Sequence, residues 1–189
     1  MDRGARMRPL ALLLPLALLA GAAGAQEMKM HRKQATGEAD PSGWMLAASS
    51  LGRFSVRLPI KFDDFTIAEA PEAPAALTHT VGAKSRDGIS FTATRIAYRR
   101  RAATAQEYFA RFEKGQGQTA VPVSVTPRRV GALRAVDLVF RGPTAVNYQR
   151  VVLLEHDLLM LSVESPAQHN ATAQELAAGF FDSLQVDAK

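Results

Sequence analysis

Gly52-Arg53-Phe54-Ser55-Val56-Arg57-Leu58-Pro59 is the stretch whose reading decides the fold. Phe54, Val56 and Leu58 alternate with Arg53, Ser55 and Arg57. That period of two places apolar side chains on one face of a strand and polar ones on the other. Gly52 opens the strand and Pro59 closes it, because proline has no N–H to give to a sheet ladder. Upstream, Trp44-Met45-Leu46-Ala47 is a short apolar run, and Ser49-Ser50-Leu51-Gly52 makes a turn between the two. The pair reads as a β-hairpin that opens a domain, at the start of a sheet whose buried centre comes about a hundred residues later.

Strand signals continue downstream. Residues 77–83 and 89–97 form a second hairpin around Lys84-Ser85-Arg86-Asp87-Gly88, where Asp-Gly is the turn signal. Ile89, Phe91 and Ala93 should face the core, with Ser90, Thr92 and Thr94 opposite. Residues 121–125 and Arg129-Val130 are extended but broken by Pro122 and Pro127, which suits an edge. Gly131-Ala132 turns into a strand over 133–140, and Arg141-Gly142-Pro143 turns again. Residues 148–154 and 158–163 are nearly continuous apolar runs, as in strands covered on both faces, and the hairpin at Glu155-His156-Asp157 joins them. They are the expected centre of the sheet.

Two helices are written alike. Thr104-Ala105-Gln106-Glu107 and Thr172-Ala173-Gln174-Glu175 both match a capping box, in which hydroxyl and carboxylate each take a free backbone N–H. Tyr108, Phe109 and Phe112 make the apolar stripe of the first helix, which Gly115 and Gly117 stop. Leu176, Ala177, Phe180, Phe181 and Leu184 make that of the second. At least one helix is expected to lie across the sheet.

The whole chain sets limits on this reading. At 189 residues, one domain is the natural expectation. A composition 47% hydrophobic and 22% charged is that of a globular protein rather than a disordered one. The formal charge of +5 is spread along the chain, so it favours solubility without marking a nucleic-acid binder. The sequence has no cysteine, which excludes a disulfide, a zinc-thiolate site, a thiol nucleophile and a lipidated N-terminal cysteine.

The first segment reads as a signal peptide over 1–25. Arg3, Arg6 and Arg8 form a basic start, residues 10–19 form a leucine-rich apolar core, and Ala23-Gly24-Ala25 supplies the small residues that signal peptidase requires. Cleavage is expected after Ala25. The apolar run is too short and too glycine-broken for a spanning helix. Loss of Asp2 and the three arginines leaves 20 basic and 17 acidic residues and lowers the formal charge to +3. A periodic apolar pattern is missing from 26–42, so this stretch is expected to be a flexible lead-in to a single domain over 43–189. Within it, Met28-Lys29-Met30-His31 offers thioether and imidazole ligands of the kind that suit copper(I). The plainer reading is two methionines that happen to fall in a tail.

The search for chemistry returns little. Asp63 and Asp64 lie in Phe62-Asp63-Asp64-Phe65, which with Pro71 and Pro74 downstream reads as an extended loop over 62–76. Neighbours on an extended chain point opposite ways, so the pair reads as a solvated turn. His79 falls on a strand as a lone, hydrogen-bonded residue, and neither it nor His156 or His169 has metal-ligand spacing. Glu155, His156 and Asp157 diverge on a turn and make no triad with Ser162. Ser165, within Glu164-Ser165-Pro166, is a lone serine near His169 with nothing to orient the base. No catalytic, cofactor-binding or metal residue is nominated, and no cofactor is expected. Tyr98-Arg99-Arg100-Arg101 is the densest basic run; Arg99, Arg100 and Arg101 could dock phosphate or an acidic partner, or form a solvated loop.

Taken together, the opening hairpin with Trp44, the mid-chain helix after a two-strand hairpin, Val151-Val152-Leu153-Leu154 with the 158–163 strand before Pro166, and the closing Phe180-Phe181-Asp182-Ser183-Leu184-Gln185-Val186 resemble the PsbP-like fold. That fold also occurs in a Ran-binding nuclear import factor and in exported bacterial proteins of unknown role. The resemblance covers about residues 44–186 and rests on packing and turn residues. It implies an α+β fold: an α/β/α sandwich around a largely antiparallel sheet. It implies docking and assembly roles and transfers no catalytic residue. The leading expectation is therefore a periplasmic or secreted, non-enzymatic domain that docks or helps assemble another envelope protein, without nucleic acid and without stable membrane insertion. A small exported serine hydrolase and a soft-metal binder acting through Met28, Met30 and His31 are the rivals.

Overall fold

The apolar runs around residues 148–163 become the middle of an eight-stranded sheet. The computed structural model describes residues 27–71, 73–99, 101–116 and 120–187; the segment read as a signal peptide, with its cleavage point after Ala25, lies outside them. Along the chain the strands are β1 (Glu27–Ala35), β2 (Met45–Ala48), β3 (Phe54–Leu58), β4 (Phe62–Ala68), β5 (Ala75–Lys84) and β6 (Ser90–Tyr98). Helix α1 (Arg101–Glu113) follows, then β7 (Ser124–Val130), β8 (Leu133–Arg141), β9 (Ala145–Leu153) and β10 (Asp157–Pro166). A short 3-10 turn (Ala167–His169), helix α2 (Asn170–Asp182) and β11 (Gln185–Val186) close the chain.

The large sheet runs β1-β4-β5-β6-β10-β9-β8-β7, and a three-stranded sheet runs β11-β3-β2. All the strand pairings are antiparallel. β6 and β10 hold the middle, as the apolar writing of β10 requires, and Pro127 lies on the β7 edge, where a missing N–H costs no ladder bond. The turns expected at Gly88 and Gly131 form with φ of 82° and 57°, conformations that glycine adopts without a Cβ clash.

The two faces of the large sheet carry separate cores. On one face, Leu158 and Met160 of β10 join Val136, Leu138 and Val151 beneath Ala105, Phe109 and Phe112 of α1. On the other, Leu159, Leu161 and Val163 meet Ala173, Ala177, Phe180 and Phe181 of α2 together with Phe54, Val56 and Leu58 of the small sheet. Phe91 and Phe180 make an edge-to-face pair with centroids 5.6 Å apart. Each such buried side chain contributes about 1.5–3 kcal/mol relative to exposure. The fold is α+β with helices on both faces of an antiparallel sheet.

Several expectations need correction. The opening hairpin forms in register, with Ala47 beside Val56, but it does not begin the large sheet. It pairs with β11 instead and packs over one face, so β3 is an inner strand of its own small sheet. The stretch 27–35, expected to be part of a flexible lead-in, is the edge strand β1, antiparallel to β4. The expected loop over 62–76 is a strand as far as Ala68, because Phe62, Asp64 and Thr66 alternate inward. Both capping boxes are displaced: α1 begins at Arg101 and α2 at Asn170, so Thr104 and Thr172 lie within the helices. Glu107 pairs with Arg111 one turn on, at 2.8 Å.

Candidate functional site

Charged and titratable side chains gather where β1, β4, β5 and β6 meet the turn of the opening hairpin. Register places them. Thr66 on β4 stands beside His79 on β5, and His79 beside Arg95 on β6, so the three form a row across one face. On the outer side the regular pairing of β1 breaks between Met30 and Arg32. Alternation from Lys29, the partner of Thr66, puts His31 on this face, and the bulge re-aims Arg32 onto it beside Asp64. His31 Nε2 shares a hydrogen bond with Thr66 Oγ1 at 2.8 Å, and Thr66 Oγ1 shares another with His79 Nδ1 at 2.9 Å. One buried hydroxyl thus joins two imidazoles from strands on either side of β4.

The row continues inward as an ion pair. Arg95 donates to Asp157 Oδ2 from Nε at 2.8 Å and approaches the same oxygen with Nη2 at 2.7 Å. Its Nη1 donates to the Gly52 carbonyl at 3.1 Å, which ties the turn of the small sheet to the large one. Gly52 is required there: a Cβ would come within 2.5 Å of the Phe54 ring.

A second link lies one step along β4. Asp64 is fully buried, and its Oδ2 accepts from Arg32 Nε at 3.1 Å, Arg32 Nη2 at 2.8 Å, the Ser50 backbone N–H at 3.0 Å and the Ser50 hydroxyl at 2.5 Å. Arg32 also donates to the Ala48 carbonyl and lies over the Phe62 ring, 5.2 Å from its centroid. One carboxylate therefore binds β1, β4 and the β2–β3 turn together. Asp63, its neighbour, points the other way and accepts from the Gln34 N–H at 2.7 Å. The opposed directions expected for the two carboxylates are present, but Asp64 is a buried clamp and not part of a solvated turn.

Electrostatics set the protonation of the row. Burial lowers the His79 pKa below its ordinary 6.5, and the nearby Arg95 and His31 lower it further; Asp157 and Asp64 pull it back. A neutral imidazole beside a hydroxyl has the first ingredient of nucleophile activation. The second is a carboxylate that orients the base. Here Asp157 and Asp64 are bound by Arg95 and Arg32, and two imidazoles share the one hydroxyl. The arrangement fastens strands.

The residues singled out from sequence fall apart in space. Met28 and Met30 share one side of β1, opposite Ile67 and Phe65, while His31 bonds to Thr66 on the other side. The three do not converge on one metal ion, because alternation divides them. Among the described residues no group of three or more His, Cys, Asp or Glu could hold a metal ion. His79, expected to be lone, is linked to His31 through Thr66. His156 Nε2 lies 3.3 Å from Glu155 on the β9–β10 turn. Ser165 is buried and donates to the Pro166 carbonyl at 2.9 Å, while His169 Nε2 is 3.5 Å from Gln168, so this serine and histidine are not paired. Arg99 donates to the carbonyls of Glu69, Ala70 and Ala73 and so closes the loop between β4 and β5. Arg100 and the side chain of Arg101 lie outside the described residues.

Sequence reading misses Arg32, Ser50, Thr66 and Arg95, and sees Asp157 only as a turn residue. None stands in a motif. The signal that could have found them is register: once residues 62–68 are a strand, Thr66, His79 and Arg95 fall in one row.

No family model matches the chain, and no curated protein matches it. Among solved structures, it is similar to the solution structure of cyanobacterial PsbP (CyanoP) from Synechocystis, at 13% identity and a TM-score of 0.50, over 81% of this chain and 98% of that one. It is also similar to the crystal structure of LpqN, described as involved in cell envelope biogenesis of Mycobacterium tuberculosis, at 10% identity and a TM-score of 0.39, over 89% of this chain and 88% of that one. The likeness to CyanoP shows the fold, which is PsbP-like.

Proposed function

We propose that the chain is an exported, non-enzymatic domain that docks or helps assemble another protein of the cell envelope. One observation carries this reading. The side chains best able to do chemistry are engaged with each other: Arg32 and Ser50 hold Asp64, Arg95 holds Asp157 and Gly52, and Thr66 holds both His31 and His79. Polar groups used in this way build a rigid surface rather than a reaction centre. The signal-like N-terminal segment supports export into the periplasm or beyond. Its removal after Ala25 leaves a chain in which no helix of the described residues is long and apolar enough to cross a membrane.

The proposed contact region is the basic run Arg99, Arg100 and Arg101, which follows β6 in the sequence; Arg99 also fixes the neighbouring loop. Guanidinium groups there would favour an acidic partner surface. Affinity capture from envelope extracts tests the reading. A partner enriched by the wild-type protein and lost with Arg99, Arg100 and Arg101 all changed to Ser is the expected result. A protein that enriches nothing, or one labelled at a serine by a fluorophosphonate probe, overturns it.

A further inference from the structure

Edge strand β1 has no buried residue, and its pairing with β4 is interrupted on both sides of Arg32. Apolar burial therefore contributes little to holding it. Its attachment rests on the ladder, on the Gln34 N–H to Asp63, on Arg32 to Asp64 and the Ala48 carbonyl, and on His31 through Thr66 to His79. The link through Thr66 joins two imidazoles, and burial lowers the pKa of one of them, His79.

We infer that the His31–Thr66–His79 link is an acid-sensitive latch: protonation of the two imidazoles loosens β1 from the sheet edge and uncovers β4. Hydrogen bonding supplies the first reason. With neutral rings, the Thr66 hydroxyl donates to one ring nitrogen and accepts an N–H from the other ring. Once both rings are protonated neither can accept, and the buried hydroxyl proton loses its partner. Charge supplies the second. The groups around His79 are His31 and Arg32 from β1, Asp64 from β4, Arg95 from β6 and Asp157 from β10. Arg32 balances Asp64 and Arg95 balances Asp157, so the cluster is neutral while the imidazoles are neutral. Protonation adds two positive charges within two hydrogen bonds of each other, and both carboxylates of the cluster are already paired with guanidinium groups.

The sign follows from the surroundings of His79. With β1 in place, burial and the neighbouring cations disfavour its charged form. The released state exposes the ring and binds the proton more readily. Release is therefore coupled to proton uptake and increases as pH falls below the ordinary histidine value of 6.5. Opening of an edge strand is a local event and leaves the central strands closed.

Amide hydrogen exchange of the full chain at pH 7.5 and pH 5, corrected for intrinsic rates, tests the latch. Protection of β1 amides should fall severalfold relative to those of β10 at the lower pH. The double variant His31→Gln/His79→Gln should abolish that difference. If the double variant does not fold, His31→Gln alone, at an edge position, should remove more than half of it. Protection of β1 that follows β10 at both pH values overturns the inference. So does a variant that retains the full wild-type loss.

Discussion

β10 and β1 belong to the same sheet and are held in it by different forces. In β10 every residue from Asp157 to Val163 is buried, with alternate side chains packed under α1 and α2. In β1 no residue is buried, and the strand is joined to its neighbour by backbone bonds, two carboxylates and one shared hydroxyl. Hydrophobic burial is non-directional and large, whereas side-chain links are directional and individually modest. Substitutions should therefore act through volume in the centre and through partners at the edge.

The largest effect is expected in the centre. Leu159 is fully buried between β9 and β6, facing α2. Leu159→Ala removes apolar contact and leaves a cavity, and should cost about 2–5 kcal/mol in denaturant unfolding. A loss below about 1 kcal/mol would mean that the centre collapses around the gap and that its packing is not what distinguishes it from the edge.

Asp64 is the next test, because it is the buried group at the edge. Asp64→Ala leaves Arg32 without its carboxylate and Ser50 without its acceptor. The Arg32 side chain is 39% exposed and can turn to water, so the cost falls below that of breaking a fully buried pair, at about 1–3 kcal/mol. The distinguishing readout is local: β1 and the Ser49–Gly52 turn should lose exchange protection before β10 does. Uniform loss across the sheet would show that the edge and the centre open as one unit.

These two strands also mark how far the sequence could be read. Apolar runs announce a central strand, so residues 148–154 and 158–163 could be placed without tertiary information. The opening hairpin was legible as a hairpin but not as a separate sheet. Its alternation fixes which side chains turn inward, and says nothing of which strand lies beside it; β11 arrives from the far end of the chain. Residues 27–35 carried no periodic signal, since a strand exposed on its outer side and charged along its length has nothing apolar to repeat. Without β1 as a strand Arg32 has no place and His31 stands only beside Met28 and Met30, and reading 62–76 as a loop hides Thr66. The candidate cluster is therefore not legible, although His31 and His79 each stand out singly.

Acid should separate the two strands through His79. Its pKa lies below the ordinary value, so the folded protein binds its proton less readily than the unfolded chain does. Stability is full above the unfolded value of 6.5 and falls as pH drops from there toward the depressed folded value. His79→Gln should flatten this part of the pH profile of Tm. An unchanged slope between pH 7 and 5 would assign the acid sensitivity to other groups.

The smallest effect is expected at Met28, and it is the most discriminating. Met28 is 60% exposed on β1, on the side away from Thr66. If β1 is held only by its ladder and polar links, Met28→Thr should change stability by less than about 0.5 kcal/mol in either direction. Threonine keeps strand propensity, so the substitution isolates apolar contact from backbone preference. A loss above about 1 kcal/mol would require Met28 to be covered in solution, either by part of this chain or by another molecule. In that case β1 would resemble β10 more closely than its exposure suggests, and the contrast between edge and centre would be one of degree.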